Sequence, residues 1–240
     1  MTEIINLNVQ IFADGADLHA IRKLATNPLI KGFTTNPTLM RNAGVDNYEE
    51  FALEVLSEIE DRPVSFEVFS DDLDEMAKQA FRIASWGDNV YVKIPITNTK
   101  GVSTIPIIKS LSDAEVKLNV TAIMTLDQVQ NTCAALNSDV SAIVSVFAGR
   151  IADTGSDPLP LMHKCAETLS VKPKAKLLWA SPREVLNIFH AEQTGCGIIT
   201  VTPDILAKLI YVGKDLNLFS LETVKMFYRD ALAAGYTIRV

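Results

Sequence analysis

The stretch Val90-Tyr91-Val92-Lys93-Ile94-Pro95-Ile96 decides how this chain is read. Its β-branched and aromatic residues make it a strand, and it is apolar apart from one lysine. Similar short runs recur on both sides of it: Gln10 to Ala13, Gly32 to Thr35 and Val64 to Val68 before, then Lys117 to Ile123, Ala142 to Phe147, Lys176 to Ala180 and Gly197 to Val201 after. Between them lie stretches that are apolar about every third or fourth residue, such as Tyr48 to Ile59, Leu73 to Ser85, Leu126 to Leu136 and Arg183 to Glu192, which read as amphipathic helices. Strands alternating with helices in this way indicate βα units and a parallel sheet. Eight such units close naturally into a barrel. A doubly wound open sheet usually needs fewer, and it needs a phosphate-binding glycine fingerprint after its first strand that Asp14-Gly15-Ala16 does not supply. The expected fold class is α/β, a single (β/α)₈ TIM barrel over residues 1–240 with an additional C-terminal helix, Leu221 to Ala234, stopped at Gly235. Helix starts are expected at Ser70, ahead of Asp71 and Asp72, and at Ser181, ahead of Pro182. There, side-chain acceptors, first-turn acids and a proline suit the free N–H groups of a helix N-terminus.

Composition narrows the functional classes. A chain of 240 residues that is 48% apolar and 21% charged has enough apolar material for a large core and is unlike a disordered sequence. Its net charge of -7 and the lack of any Lys/Arg-rich run argue against a nucleic-acid partner. A small phosphorylated substrate stays compatible, because a few arginines aimed into one cleft dominate the local field. Cys133, Cys165 and Cys196 are odd in number and widely spaced, which argues against a disulfide framework or zinc knuckle and suits a reducing cytoplasm. His19, His163 and His190 have no i, i+4 pairing, so no metal site and no cofactor are expected. The start Met1-Thr2-Glu3-Ile4-Ile5-Asn6 lacks a basic region, and no apolar run approaches the ~20 residues that span a bilayer, so neither export nor membrane insertion is expected.

In a barrel of this class, polar residues near strand C-termini point into the mouth where chemistry is done. Strand one ends at Asp14 and strand two at Asn36, strand three carries Glu67, strand four Lys93, and strand five Asn119 and Thr121. Strand six offers Ser145 and is followed by Arg150, and strand seven ends in Ser181 with Arg183 beyond. Lys93 is the sharpest of these. A lysine in an apolar strand leaves water at considerable cost, and desolvation favours the neutral amine. That amine attacks a ketone to form a carbinolamine and then an iminium, which withdraws electrons during C–C cleavage. The other reading of such a lysine is a buried stem whose head reaches a rim carboxylate.

The neighbours of Lys93 decide between the two. Phe12-Ala13-Asp14-Gly15-Ala16-Asp17, Gly32-Phe33-Thr34-Thr35-Asn36-Pro37-Thr38, Val92-Lys93-Ile94-Pro95, Asn119-Val120-Thr121 and Ser145-Val146-Phe147-Ala148-Gly149-Arg150-Ile151 resemble, in order and over nearly the whole chain, the successive motifs of transaldolases and their short relatives. The resemblance implies an α/β barrel in which Lys93 forms a Schiff base and a dihydroxyacetone unit moves from sedoheptulose 7-phosphate to glyceraldehyde 3-phosphate, in the non-oxidative pentose phosphate pathway. It implies that Asp14 takes the proton of the substrate C4 hydroxyl, and that Glu67, with Thr121 and a water, shuttles protons during carbinolamine dehydration. Asn36, Asn119 and Ser145 bind substrate hydroxyls, and Arg150, Ser181 and Arg183 grip the phosphate. Most of these residues also have a structural alternative: a helix cap for Asp14, a rim ion pair for Glu67, loop ties for the two asparagines, a buried hydroxyl for Ser145, and solvated helix positions for the arginines.

Within that family the fructose-6-phosphate aldolases release the three-carbon unit instead of transferring it, and typically carry glutamine in place of Glu67 and tyrosine in place of Phe147. A carboxylate present and a phenol absent favour transfer. Ala13, Gly15-Ala16 and Pro182 depart from the family's usual residues. The remaining alternative is a barrel kept as a non-catalytic binding module. By the same resemblance the chain assembles as a homo-oligomer, a pentamer or decamer. Leu221, Val224, Phe227 and Tyr228 form an apolar stripe that either packs on a neighbour or folds back onto its own barrel.

Overall fold

A computed structural model describes residues 7–239. The segment Met1–Asn6, read above for an export signal, lies outside the described residues. Eight parallel strands pair in chain order and close, β1 against β8, into a barrel. The strands are β1 (Gln10–Asp14), β2 (Ile30–Thr34), β3 (Val64–Glu67), β4 (Val90–Pro95), β5 (Leu118–Ile123), β6 (Ala142–Val146), β7 (Ala175–Trp179) and β8 (Ile198–Val201). Each lies within two residues of the run expected from sequence. The helices are α1 (Leu18–Ala25), α2 (Pro37–Asn42), α3 (Tyr48–Glu58), α4 (Leu73–Ala84), α5 (Ile105–Asp113), α6 (Leu126–Ala135), α7 (Ala148–Asp153), α8 (Leu159–Leu169), α9 (Leu186–Gln193), α10 (Pro203–Ala207) and α11 (Leu216–Ala233). Among the described residues no helix is long and apolar enough to cross a membrane.

Two apolar cores follow from the strand period of two. Residues pointing outward from the barrel, such as Val64, Val92, Ile94, Val120 and Val144, pack with Val55, Ile59, Met76, Ile108 and Met162 of the surrounding helices. Inside the barrel a smaller cluster of Phe12, Ile143, Leu178 and Ile198, with Tyr91 against it, fills the lower lumen. Gly32 belongs to this arrangement. A Cβ there would meet the Phe12 ring at 2.6 Å, so the absence of a side chain on β2 is what lets the Phe12 ring occupy the floor. A filled floor makes the barrel a packed core with one open end, not a pore.

Two expected helix starts are corrected. Asp72, not Ser70, caps α4, accepting from Glu75 N, while Ser70 Oγ accepts from Asp72 N one turn earlier. Ser181 caps nothing. It has φ of +57°, and α9 begins only at Leu186 because Asn187 Oδ1 closes the preceding turn, accepting from Arg183 N at 2.7 Å and Glu184 N at 3.3 Å. The C-terminal helix begins five residues before the expected Leu221, since Asp215 caps it by accepting from Leu218 N at 2.9 Å. Its end at Ala233, with Gly235 at φ of +67°, agrees with the glycine stop. No residue of α11 is buried, so its apolar stripe does not fold back onto its own barrel.

Candidate active site

The open end of the lumen holds a cavity of about 440 Å³. Nine of the ten residues singled out from sequence line it: Asp14, Asn36, Glu67, Lys93, Asn119, Thr121, Ser145, Arg150 and Ser181. Strand parity explains the convergence. Asp14 follows Phe12 by two, Lys93 follows Tyr91, Ser145 follows Ile143, and so each sits one layer above a residue of the apolar floor.

Lys93 is 7% exposed. Its Nζ donates to Thr35 O at 3.0 Å and lies 3.1 Å from Glu67 Oε2. The partners are set by pairing, because Glu67 on β3 is in register with Lys93 on β4. An amine this close to a carboxylate has a proton acceptor at hand, which a nucleophilic lysine needs. Thr121, opposite Pro95 in register, has a buried Oγ1 with no hydrogen-bond partner among the described residues. A buried hydroxyl in a polar cavity is completed by solvent or a ligand.

On the other side of the lumen Asp14 is held by Thr34, whose hydroxyl donates to Asp14 Oδ1 at 2.8 Å. Thr34 Oγ1 also contacts Thr200 Oγ1. With the single Thr34 proton committed to Asp14, Thr200 donates to Thr34, and the three form a directed chain. Burial pushes the Asp14 carboxyl above the usual carboxylate range, and it outweighs the opposing pull of Lys93 and of the Thr34 hydrogen bond. Such a group holds a proton more readily than a surface aspartate, as a general acid or base requires.

The amides and hydroxyls are partly committed to the barrel. Asn119 Nδ2 donates to Ser65 Oγ at 3.0 Å, and Asn119 Oδ1 accepts from Ser145 Oγ at 2.6 Å, linking β3, β5 and β6. Asn36 caps α2, accepting from Leu39 N at 3.0 Å with Pro37 at the first helical position, and lines the cavity at the same time.

At the far end of the cavity the Arg150 guanidinium lies 5.3 Å from the centre of the Phe147 ring. Ser181 reaches the same end because the chain after β7 turns tightly over α7. A Cβ on Gly149 would sit 1.5 Å from Ser181 O, so only glycine allows that crossing. Arg183 is the residue that the structure does not bring in. Its Nε donates to Asp153 Oδ1 at 3.0 Å and its Nη2 pairs with Asp153 Oδ2, which holds the Asp153 carboxyl below its usual range. Among the described residues no group of three or more His, Cys, Asp or Glu is placed to hold a metal ion.

Thr34 and Thr35 stand in a segment that carries the family resemblance but have no role assigned from sequence, and Thr200 and Tyr48 are not singled out there at all. Thr34 and Thr200 are ordinary strand residues by composition, but counting by two from Ile198 gives Thr200, and Thr34 stands two after Gly32. Tyr48 had no such signal. It sits at the start of α3 and reaches the site through contacts with no local period, its hydroxyl accepting from Glu67 N at 2.7 Å and donating to Glu67 O at 2.9 Å.

A model of the family described as Transaldolase/Fructose-6-phosphate aldolase matches residues 11–236. The chain belongs to that family. Relatives named probable transaldolase include a protein of Dehalococcoides mccartyi, 33% identical over 203 residues that cover 84% of this chain and 90% of the relative. Another, from Nitrosopumilus maritimus, is 33% identical over 205 residues, covering 84% and 87%. Among solved structures, the crystal structure of KGPDC from Streptococcus mutans matches with a TM-score of 0.54 and 16% identity, covering 83% of this chain and 89% of that one. A second crystal structure of the same protein, a ligand complex, gives 0.53 and 15%, covering 82% and 88%. At such identity the structural likeness is one of fold alone. The transaldolase/fructose-6-phosphate aldolase family consists of enzymes of sugar-phosphate metabolism, and a barrel mouth lined with hydroxyls, amides, two carboxylates and one arginine suits substrates of that class.

Proposed function

We propose that this chain is a transaldolase that moves a dihydroxyacetone unit from sedoheptulose 7-phosphate to glyceraldehyde 3-phosphate, yielding erythrose 4-phosphate and fructose 6-phosphate, as in the non-oxidative pentose phosphate pathway. The observation that carries the reading is the Lys93–Glu67 pair, 3.1 Å apart within the polar cavity. Lys93 Nζ, having passed a proton to Glu67, attacks the ketose C2 and forms a carbinolamine. Glu67 returns the proton to the departing C2 hydroxyl, and water leaves past Thr121 as the iminium forms. Asp14, across the lumen, takes the C4 hydroxyl proton. The C3–C4 bond breaks, its electrons pass into the iminium as an enamine, and erythrose 4-phosphate departs. Glyceraldehyde 3-phosphate then accepts the enamine carbon by the reverse steps, and hydrolysis of the new iminium frees Lys93.

Arg150 and Ser181 are assigned to the phosphate end of the cavity, which they line together. Arg183 joins them only if its pair with Asp153 opens. Transfer is favoured over release of free dihydroxyacetone because a carboxylate, Glu67, stands beside Lys93, while Phe147 offers no phenol in the cavity. The same reading places the enzyme in the cytoplasm as a homo-oligomer of five or ten subunits, with α11 packed on a neighbour.

Borohydride reduction with fructose 6-phosphate tests the reading. The expected result is a dihydroxyacetone-derived adduct on the peptide bearing Lys93, and labelling of any other lysine would overturn it. A parallel assay with and without glyceraldehyde 3-phosphate separates the two reactions. Transfer requires the acceptor, and steady dihydroxyacetone release without it would make the enzyme a lyase.

A further inference from the structure

We propose that Tyr48 is a positioning residue for Glu67, substituting a phenol for a missing stretch of β-ladder. The inference rests on the transaldolase reading above, in which Glu67 handles the proton of the Lys93 chemistry. The β2–β3 ladder stops early. Phe33 N donates to Pro63 O at 2.9 Å and Thr35 N to Ser65 O at 3.3 Å, and then the chain turns away at Asn36 into α2. Val68 N donates the other way, to Lys93 O on β4, at 3.0 Å. By strand parity the N–H and C=O of Glu67 face β2, at the level where β2 has already left.

The Tyr48 hydroxyl occupies that gap. It accepts from Glu67 N at 2.7 Å and donates to Glu67 O at 2.9 Å, so one oxygen satisfies both orphaned peptide groups. Its own direction is fixed by packing: the ring meets Phe66, Phe69 and Trp86 edge-on, at centroid distances of 6.2, 4.3 and 5.7 Å. Burial pushes the phenol well above its usual range, so it stays a proton donor at working pH. A catalytic carboxylate at the last residue of a four-residue strand is thereby held as firmly as one within a ladder. Without the phenol, the Glu67 peptide seeks other partners and the carboxylate drifts from Lys93.

The test compares wild type, Tyr48→Phe, Glu67→Gln and the double variant by rapid borohydride trapping of Lys93 with fructose 6-phosphate, together with kcat, KM and Tm. Tyr48→Phe keeps the ring and its edge contacts. It is expected to slow trapping and kcat about tenfold or more, as small misplacements of a catalytic group do, while KM stays unchanged. In the Glu67→Gln background the same substitution is expected to add no further loss, since the two residues act through one group. A lowered Tm with trapping at the wild-type rate, or losses that multiply in the double variant, would overturn the positioning role and leave the transaldolase reading intact. Failure of the wild type itself to trap would overturn that reading and this inference together.

Discussion

Two residues along a strand separate two different environments inside this barrel. At the lower level Phe12, Tyr91, Ile143 and Ile198 fill the lumen with apolar surface. One layer higher on the same strands stand Asp14, Lys93, Ser145 and Thr200 around an open cavity. The lower layer gains free energy by leaving water, about 1.5–3 kcal/mol for each large side chain fully buried. The upper layer does the opposite, taking titratable groups out of water at a cost in free energy. Asp14 shows the cost. Its folded-state affinity for a proton is raised above the unfolded value, so its contribution to stability is present at low pH and is lost as pH rises through the folded-state value. Once ionised, the buried carboxylate opposes folding.

The division between the layers can be broken experimentally. Lys93→Met, which makes the upper level apolar at its centre, is expected to abolish turnover, by at least about 10³-fold, since among the described residues no other amine lines the cavity. Loss of borohydride trapping at the peptide carrying position 93 checks it. Glu67→Gln, which keeps shape and removes the proton acceptor, should slow Schiff-base formation by roughly 10²-fold, read in single-turnover trapping. In the lower layer the currency changes. Ile143→Ala should lose about 2–5 kcal/mol of unfolding free energy in a denaturant titration, with kcat per folded molecule close to wild type.

Asp14→Asn should run the other way, raising Tm at neutral pH and stopping turnover, with the Tm gain shrinking in acid as the wild-type carboxyl takes up its proton. The smallest effect is expected from Thr34→Val. Removing the hydroxyl that stabilises the Asp14 carboxylate moves the acid limb of the pH–kcat/KM profile upward. A downward move would show that Asp14 is not the group titrating there.

The upper layer was legible in sequence wherever a polar residue interrupts an apolar strand. Lys93 within Val90–Ile96, Glu67 within Val64–Val68, and Ser145 between Val144 and Val146 all announce themselves against apolar neighbours. Thr34 and Thr200 did not, because threonine is itself a strand former and carries no contrast. Arg183 is a phosphate ligand by the family resemblance, but it does not line the cavity and pairs with Asp153 instead. Its direction depends on a left-handed turn at Ser181 and on the carboxylate of Asp153 at the end of α7, thirty residues away, neither of which has a local pattern. Tyr48 was invisible for a related reason, since a partner nineteen residues away depends on how α3 settles against β3.

Gly149 sets a limit on redesign of this barrel. Because the carbonyl of Ser181 rests where a side chain at 149 would begin, the segments after β6 and β7 pack backbone against backbone at the Arg150 end of the pocket. Any effort to admit a bulkier or uncharged donor by loosening that contact would meet backbone, not a side chain that could be trimmed. Room is better sought on the opposite wall near Leu39, where the pocket borders a second hollow bounded by Gly15, Ala16 and Ala20. Gly15 has open space where a Cβ would be placed, so the wall there can be resculpted without disturbing the main chain.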